Sequence, residues 1–595
     1  MTKKISLSVV TAAVLATSGS LYATNGDNLI GTGAASRAMG GTGVANYTNG
    51  IEALYRNPAL MGQSKTNTLS LGVTYFDPTV KSSVTNQAQG FPTEQTATSA
   101  TKASFIPEMG ITYNLDESVH FGFGVFGAAG MGVDYKGEAA QSQLKSELNL
   151  ARIIPGASYD INEMISVGVA PVITYGQMSM NYDAGTGSQS NRENSTATAF
   201  GAQVGLAIRP IKGLTIGLTY NSSAKLTYSK VANFEQFGLA GQLGSIVKNA
   251  KTFNADGTLS TTSESENIQK TGYTPAQGIQ NAFYDPTKPG TTLAEQLANP
   301  QTASAAIAAA GTLGITDASG NRFSDKAYAA GLAAGTTAAT SMQTSGTTEN
   351  TNFTARVTQL VTAGEEQAAA QTQAGQEIVG AAVGAAVNTV STEAATAVNS
   401  STTAQSIGAS GIAAADDDLI LEQPAELALG IGYVMGDLAL TADYRNIAWS
   451  KAEGYKDFGW QDQTVIALGA SYNLGSLTLR AGYNKADSVI EETKSEKGNA
   501  GLVNVQGHQI FQQSLSMLNM VGFPAISTTH YTFGLGYAID NAMSIDFAAV
   551  ISPEASVTRK GTLAAGASTT DPTIPYDFTT TMQQNSYTVA LNYNF

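Results

Sequence analysis

The chain ends in Tyr587-Thr588-Val589-Ala590-Leu591-Asn592-Tyr593-Asn594-Phe595. Side chains alternate between faces along an extended strand. One face of this stretch therefore carries Tyr587, Val589, Leu591, Tyr593 and Phe595, and the other Thr588, Ala590, Asn592 and Asn594. An apolar, aromatic face opposite a small, polar one suits a strand with lipid outside and a wet lumen inside.

Working back from this stretch, the same two-residue period recurs in fourteen segments: 67–77, 103–114, 120–136, 148–160, 165–181, 196–210, 214–230, 419–434, 438–450, 464–474, 477–487, 529–539, 543–558 and 585–595. In 531–539, Tyr531, Phe533, Leu535, Tyr537 and Ile539 alternate with Thr532, Gly534, Gly536 and Ala538. The connections alternate in length. Short ones fall at 115–119, 161–164, 211–213, 435–437, 475–476 and 540–542, and most hold the Gly, Asn or Asp of tight turns. Long ones fall at 78–102, 182–195, 231–418, 488–528 and 561–584. Short periplasmic turns, long outer loops and an even strand number define a transmembrane barrel, and a soluble sandwich would not sort its loops this way. The pattern predicts an all-β fold, a monomeric fourteen-stranded antiparallel β-barrel in the outer membrane of a Gram-negative bacterium.

Composition agrees. Only 13% of the 595 residues are charged, glycines number 62 and mean hydropathy is -0.05. Barrel strands send only half their residues to lipid, so hydropathy averages out. The net charge of -15 argues against nucleic acid as a partner. With Cys at 0, thiolate catalysis and cysteine-ligated metals are excluded. Lys3 and Lys4 precede an apolar run over 5–15, and small residues lead to Ala23. This reads as a secretory signal peptide over 1–23, too short to span a bilayer. The domain plan is then signal peptide 1–23, lumen hatch 24–66, strands one to seven 67–230, an outer insertion 231–418, and strands eight to fourteen 419–595.

Residues 24–63 are unlike a strand. They are rich in Gly and Asn and hold scattered apolar residues, among them Leu29, Ile30, Met39, Leu54 and Leu60. A plug inside the barrel accounts for those residues better than a free periplasmic tail does. Here the run Ser36-Arg37-Ala38-Met39-Gly40-Gly41-Thr42-Gly43, followed by Ala53-Leu54-Tyr55-Arg56-Asn57-Pro58-Ala59-Leu60-Met61, resembles the plug of the FadL/TodX family of outer-membrane hydrophobic-compound transporters. Asn57, Pro58 and Ala59 stand at its hatch motif. Stretches 218–226, 421–430 and 522–537 resemble further elements of that family in the same order.

The resemblance implies a fourteen-stranded barrel with an amino-terminal hatch, matching the count from periodicity. It implies passive uptake of hydrophobic small molecules, long-chain fatty acids or hydrocarbons and aromatics, with lateral exit through a kinked third strand. On this chain that role falls to Gly127, Gly130 and Gly132, within Phe121–Gly132. Glycine in a strand marks bulges or close backbone approach. The aromatic end, Phe595, resembles the signal read by the barrel-assembly machinery, and the outer-membrane setting makes lipid and lipopolysaccharide partners. Fatty-acid carriers of the family place basic residues in the lumen, yet 175–182 holds no Lys or Arg. Arg480 and Arg56 remain as candidates for pairing with a ligand carboxylate or with lumen acids.

The insertion is heavy in Ala, Thr, Gly and Ser; 292–298, 303–310, 325–334 and 352–387 favour helix. A helix-containing cap and a mostly disordered loop are both open readings. In the next outer loop, 510–520 is amphipathic at helical spacing, with Ile510, Phe511, Leu515 and Leu518 on one side as ligand-binding candidates. No catalytic residues emerge. The histidines are His120, His508 and His530, with no Gly-x-Ser-x-Gly element near, and no metal-ligand cluster, phosphate loop or cofactor motif is found. A general porin and an adhesin acting through the insertion are the alternatives to a transporter.

Overall fold

A computed structural model describes residues 25–64, 66–86, 91–101, 103–182, 192–232, 251–253, 259–263, 317–363, 365–400, 417–490, 496–497, 502–563 and 574–595. The expected signal peptide and the pieces at 292–298 and 303–310 lie outside these residues.

The main sheet has 16 strands, of which two short ones, Phe91–Thr98 and Glu496–Lys497, only lean on its rim; the other 16 − 2 = 14 form a closed antiparallel ring. In chain order these are β1 (Thr68–Asn86), β2 (Ser104–Asn114), β3 (Val119–Asp134), β4 (Lys145–Asp160), β5 (Ile165–Asn181), β6 (Arg192–Ile211), β7 (Leu214–Asn221), β8 (Glu426–Met435), β9 (Leu438–Ile447), β10 (Gln463–Leu474), β11 (Leu477–Ala486), β12 (Thr529–Ala538), β13 (Met543–Leu563) and β14 (Ile574–Asn594). Each pairs with its neighbour in sequence, and β14 closes on β1, with Leu71 opposite Leu591. Closure leaves no free edge in lipid, which open sheets cannot achieve.

The terminal stretch behaves as its alternation requires. Tyr587, Val589, Leu591 and Tyr593 are exposed on the outside, whereas Thr588, Ala590 and Asn592 are buried inside. Outward aromatic pairs span neighbouring strands, Tyr75 with Phe105 at 5.4 Å between ring centroids and Tyr483 with Tyr531 at 5.5 Å. One end of the barrel is closed by tight turns of two designs. At Gly213, Gly436 and Gly475 a positive φ of 84°, 61° and 78° lets the chain reverse at once. In the longer turns Asp116, Asn162 and Asp540 each accept two backbone amides from residues two and three further on.

The structure corrects four boundaries. β1 continues to Asn86 and turns into Phe91–Thr98, where a loop over 78–102 was expected. β14 starts at Ile574, inside the expected loop 561–584. A spanning strand needs about 9–11 residues, so these strands of 19 and 21 residues project past the lipid. Outward residues there, such as Lys81, are polar, and the apolar face that marks a strand is gone. The segments 214–230 and 419–434 are each two strands, not one. β7 stops at Asn221 and Ala224–Ala232 follows; Asp417–Gln423 stops before Pro424, and β8 follows. The upper pieces pair only with each other, Leu226 opposite Leu421, in a ribbon that buries Leu226, Tyr228, Leu419 and Leu421. Pro424 has no amide to donate to a ladder, which fits the break.

The insertion is helical over α3 (Phe323–Gln343), α4 (Thr348–Thr362) and α5 (Gln367–Ser400), where 325–334 and 352–387 were expected to be. Leu360 of α4 packs on Ala370 and Ala374 of α5. Ion pairs Lys326–Glu393 at 2.5 Å and Arg356–Glu377 at 2.7 Å bind α5 to the other two helices.

Candidate functional site

The lumen is filled from its amino-terminal side. Residues 25–63 carry two short helices, α1 (Ala34–Ala38) and α2 (Gly50–Arg56), then a 3-10 turn at Pro58–Gln63, and nearly every residue of 25–61 is buried. Such short helices cannot hold themselves. Inward-facing polar side chains of the wall hold them. The Asp443 carboxylate accepts the amides of Gly43 and Val44 at 2.8 and 3.0 Å. Glu108 accepts that of Gly33 at 2.7 Å, and Asn484 donates to the Gly40 carbonyl at 2.9 Å. Gln203 donates to the carbonyls of Tyr55 and Arg56. In the hatch motif, Asn57 caps the turn through the Ala59 amide and donates to the carbonyls of Val44 and Leu206, while Pro58 and Ala59 seat against Gly168 and Gly205.

β3 departs from the ring at its glycines. β2 and β3 pair only from Asn114–His120 to Glu108–Phe126; Ser104–Pro107 have no ladder partner on β3. The β3–β4 ladder has a bulge between Gly127 and Ala129. Gly127 lies against Ile106, and Gly132 lies so near the Ser146 carbonyl that an added Cβ would come within 2.5 Å of it. Freed from β2, this part of β3 pairs with the hatch. Leu29 donates to the Ala128 carbonyl at 3.1 Å, and Gly130 donates to the Asp27 carbonyl at 2.9 Å. The result is a slot in the ladder, between β2 on one side and the bulged β3 on the other, with Ile106 packed against Gly127 and the seam closed above where Ala100 donates to the Asp134 carbonyl.

An apolar cluster leads to this slot from the long-loop end. It joins Ile510, Leu515, Leu518, Met520 and Phe523 of the 488–528 loop to Leu29 of the hatch and to Ala129, Met131 and Val133 of β3. The expected helix over 510–520 is in part corrected. Ile510 and Phe511 end a short strand, His508–Phe511; α6 (Gln512–Met517) follows, then one π turn, Leu518–Gly522. Ile510, Leu515 and Leu518 still converge in the cluster. Trp449, Tyr455 and Trp460 form its aromatic end, with ring centroids 4.7–5.0 Å apart. Gly26 (φ 66°) packs on Trp449, where a Cβ would meet Cζ2 at 2.5 Å. Beside it the buried Asp27 carboxylate accepts from the Tyr455 hydroxyl and, at 2.8 Å, from Gln423 Nε2. Burial pushes the Asp27 carboxyl up to about 6, against those two hydrogen bonds. These tethers, with Asp443 and Glu108, come from residues distant in sequence and leave no local signal there.

Both cations singled out in the sequence are paired. Arg480 meets Asp546 at 2.6 Å. Arg56 meets Glu426 at 3.5 Å and donates to the Ile30 carbonyl at 2.9 Å. His120 and His530 are buried: His120 lies between Asn114 and Asp160 at the short-turn end, and His530 lies against Gln584. No group of His and acidic residues suited to a metal occurs among the described residues. Nor is any described helix long and apolar enough to cross a membrane; the strands do so.

A lipid-facing barrel with its bore filled by its own amino-terminal segment defines the class of plugged outer-membrane barrels, and here an apolar cluster leads to a gap in the ladder between two of its strands. Comparison with known proteins agrees. Residues 9–262 match the family described as "Outer membrane protein transport protein (OMPP1/FadL/TodX)". The matched stretch is similar to this FadL/TodX family, and the chain is a protein of the Gram-negative outer membrane. A curated relative from Chlorobium limicola, an uncharacterized protein in the phosphoenolpyruvate carboxykinase gene 5' region, is 46% identical over 72 residues, which span 12% of this chain and 35% of that protein. Among solved structures, the P. putida toluene transporter TodX is similar at 15% identity and TM-score 0.48, over 95% of this chain and 99% of that one. A Pseudomonas aeruginosa FadL homologue is similar at 12% identity and TM-score 0.49, over 96% of this chain and 100% of that one.

Proposed function

We propose that the protein is a passive conduit for hydrophobic small molecules, which settle in the apolar cluster at the long-loop end, pass the docked turn at Asn25–Asn28, and leave sideways into the membrane through the slot between β2 and β3. The observation that carries this reading is the coincidence of two features. The β2–β3 ladder stops at Phe126, and the apolar cluster runs to the residues just past that point, Ala129, Met131 and Val133. An apolar solute gains about 25 cal/mol for each Å² it hides from water, so a continuous apolar path ending in lipid needs no other driving force. Gly127, Gly130 and Gly132 let β3 bend away from β2, and Ile510, Leu515 and Leu518 are the capture residues. The lining is apolar and the cations Arg56 and Arg480 are already paired, which favours neutral hydrocarbons and aromatics over carboxylates along this path.

Replacing Gly130 with Arg tests it. The variant places a bulky charge on β3 at the residue whose amide meets the Asp27 carbonyl. Uptake of a radiolabelled neutral hydrocarbon into cells should be abolished, while the barrel keeps its heat-modifiable migration. Uptake at the wild-type rate would remove the lateral exit.

A further inference from the structure

The wall has a second break, on the far side of the β3–β6 panel. The β6–β7 ladder runs only as far as Gln203–Asn221, so the upper half of β6 has no ladder partner on that side. Beyond it, among the described residues, Ser222 bridges the two strands, donating its amide to the Ala202 carbonyl and accepting the Ala202 amide on its Oγ, each at 2.9 Å. The chain then turns inward as Ala224–Ala232. The register carries the first break across the panel to within four residues of the second. Phe126 is opposite Arg152, Arg152 opposite Thr174, and Thr174 opposite Ala199.

A cavity of about 30 Å³ occupies this second break. Its lining runs from the outward-facing Ala202 and Ser222 through Gln203 and Asn221 to Arg152, Tyr55 and Asn28. A water needs about 10–15 Å³ by this measure, so the space takes two waters or one carboxylate-sized group. Arg152 has its guanidinium 5.9 Å from the centre of the Tyr55 ring and donates to two neutral oxygens, Asn28 Oδ1 and Gln423 Oε1, both at 3.4 Å; Asp27 is near enough to feel its charge but makes no direct ion pair with it among the described residues. The one acid in the lining, Glu426, already faces Arg56 at 3.5 Å and Arg445 at 3.8 Å. Asp27, beyond Gln423, is held by Tyr455 and Gln423. Outside the mouth, Phe200 is 73% exposed to the lipid and Val204 is also exposed.

We infer that this break is a side port for a single-chain anionic amphiphile. Its head group enters the cavity and pairs with Arg152, whose planar fork of donors suits an oxyanion. Its tail stays against Phe200 and Val204 in the membrane. The site opens through a different seam from the slot at β3, although Asn28 of the docked turn lines it, and it does not depend on transport through that slot. It gives acids a place that the apolar path denies them.

The test uses the full-length protein in zwitterionic lipid nanodiscs. The probes are a 12-carbon alkyl carboxylate and a 12-carbon alkyl phosphate, each with a diazirine beside the head group, and the matching neutral alcohol. The expected result is mass-spectrometric labelling of residues 201–204 and 221–224 by an anionic probe and not by the alcohol. Labelling should fall about tenfold in Arg152→Gln, a loss of about 1.4 kcal/mol in binding, and should return in Arg152→Lys. Ala202→Trp, which fills the mouth from outside and leaves the hatch contacts intact, should also abolish it. Labelling by the carboxylate alone assigns the port to acids, and labelling by the phosphate alone assigns it to membrane lipid. No anion-dependent labelling at these residues, or equal labelling in Arg152→Gln and Ala202→Trp, would overturn the site. Neither result bears on hydrocarbon uptake, which is read separately with Gly130→Arg.

Discussion

The carboxylate of Glu52 accepts the backbone amide of Ser36 at 2.9 Å, so the second helix of the hatch caps the first. Helix α1 has no side-chain cap of its own, because Gly33 stands at its N-cap. Glu52 supplies it from α2, taking the Ala35 amide as well at 3.2 Å, and is itself held by the Thr48 hydroxyl. Removing the acceptor leaves buried amides unsatisfied, at about 1–3 kcal/mol. Glu52→Ala should loosen the hatch without opening the ring. Hydrogen exchange of residues 34–38 should speed up, while the amides of β1 and β14 keep their protection. Loss of protection in those strands would show that the hatch and the barrel are one cooperative unit.

A pH dependence follows from Asp27. Its carboxyl is raised to about 6 by burial, so the docked turn prefers the protonated form. The stabilisation is complete below the ordinary carboxylate value near 3.8 and is lost as pH rises through about 6. Protection factors of residues 28–30 should therefore fall between pH 4 and pH 7. Asp27→Asn keeps a neutral, hydrogen-bonding side chain and should remove that dependence. A persistent fall in the variant would assign the effect to another group.

The seat of the hatch motif is steric as well as polar. A Cβ on Gly205 would collide with the Asn57 side-chain oxygen, and one on Gly217 would collide with the Val44 carbonyl. Gly205→Leu should displace 57–59 and let small polar solutes leak through the bore. Liposome swelling with a disaccharide measures this, and the wild type should show little. No increase would mean that the hatch repacks around the new side chain.

The chain's two tryptophans, Trp449 and Trp460, sit together in the apolar cluster with centroids 5.0 Å apart. Intrinsic fluorescence therefore reports on the proposed capture site. A brominated aromatic should quench it saturably in the wild type, and Leu515→Asp should weaken the apparent affinity about tenfold, near 1.4 kcal/mol. Quenching that never saturates would place the ligand elsewhere.

The ring was legible because lipid enforces a strict contrast. Wherever a strand crosses hydrocarbon, as at Tyr531–Ala538, every outward residue is apolar or small, and the two-residue period cannot be missed. The contrast vanishes where strands rise clear of the lipid, which hid β1 beyond Asp77 and the first half of β14. The break after Asn221 was hidden for another reason. Leu226 and Tyr228 continue the alternation set by Leu218 and Tyr220, although one pair faces the lumen cluster and the other the lipid. In the site, the glycines of β3 and the apolar residues of 510–518 were visible as patterns of residue type. The tethers Glu52, Asp443 and Gln423 were not, because each meets a partner far away in sequence, Gln423 the Asp27 carboxylate and the other two backbone amides, and looks like any polar residue on its own element.

The account stands or falls on the slot beside Gly127. An added Cβ at Gly127 lies 3.7 Å from the Ile106 Cβ, inside the range of a disulfide, and the chain has no native cysteine to interfere. The deciding measurement is hydrocarbon uptake by the Ile106→Cys/Gly127→Cys double variant, oxidised and then reduced in the same preparation. Joining β2 to the bent part of β3 should cut uptake at least about tenfold, and reduction should restore it. Equal uptake in the two redox states, with the disulfide confirmed by mass, would contradict lateral exit at this place.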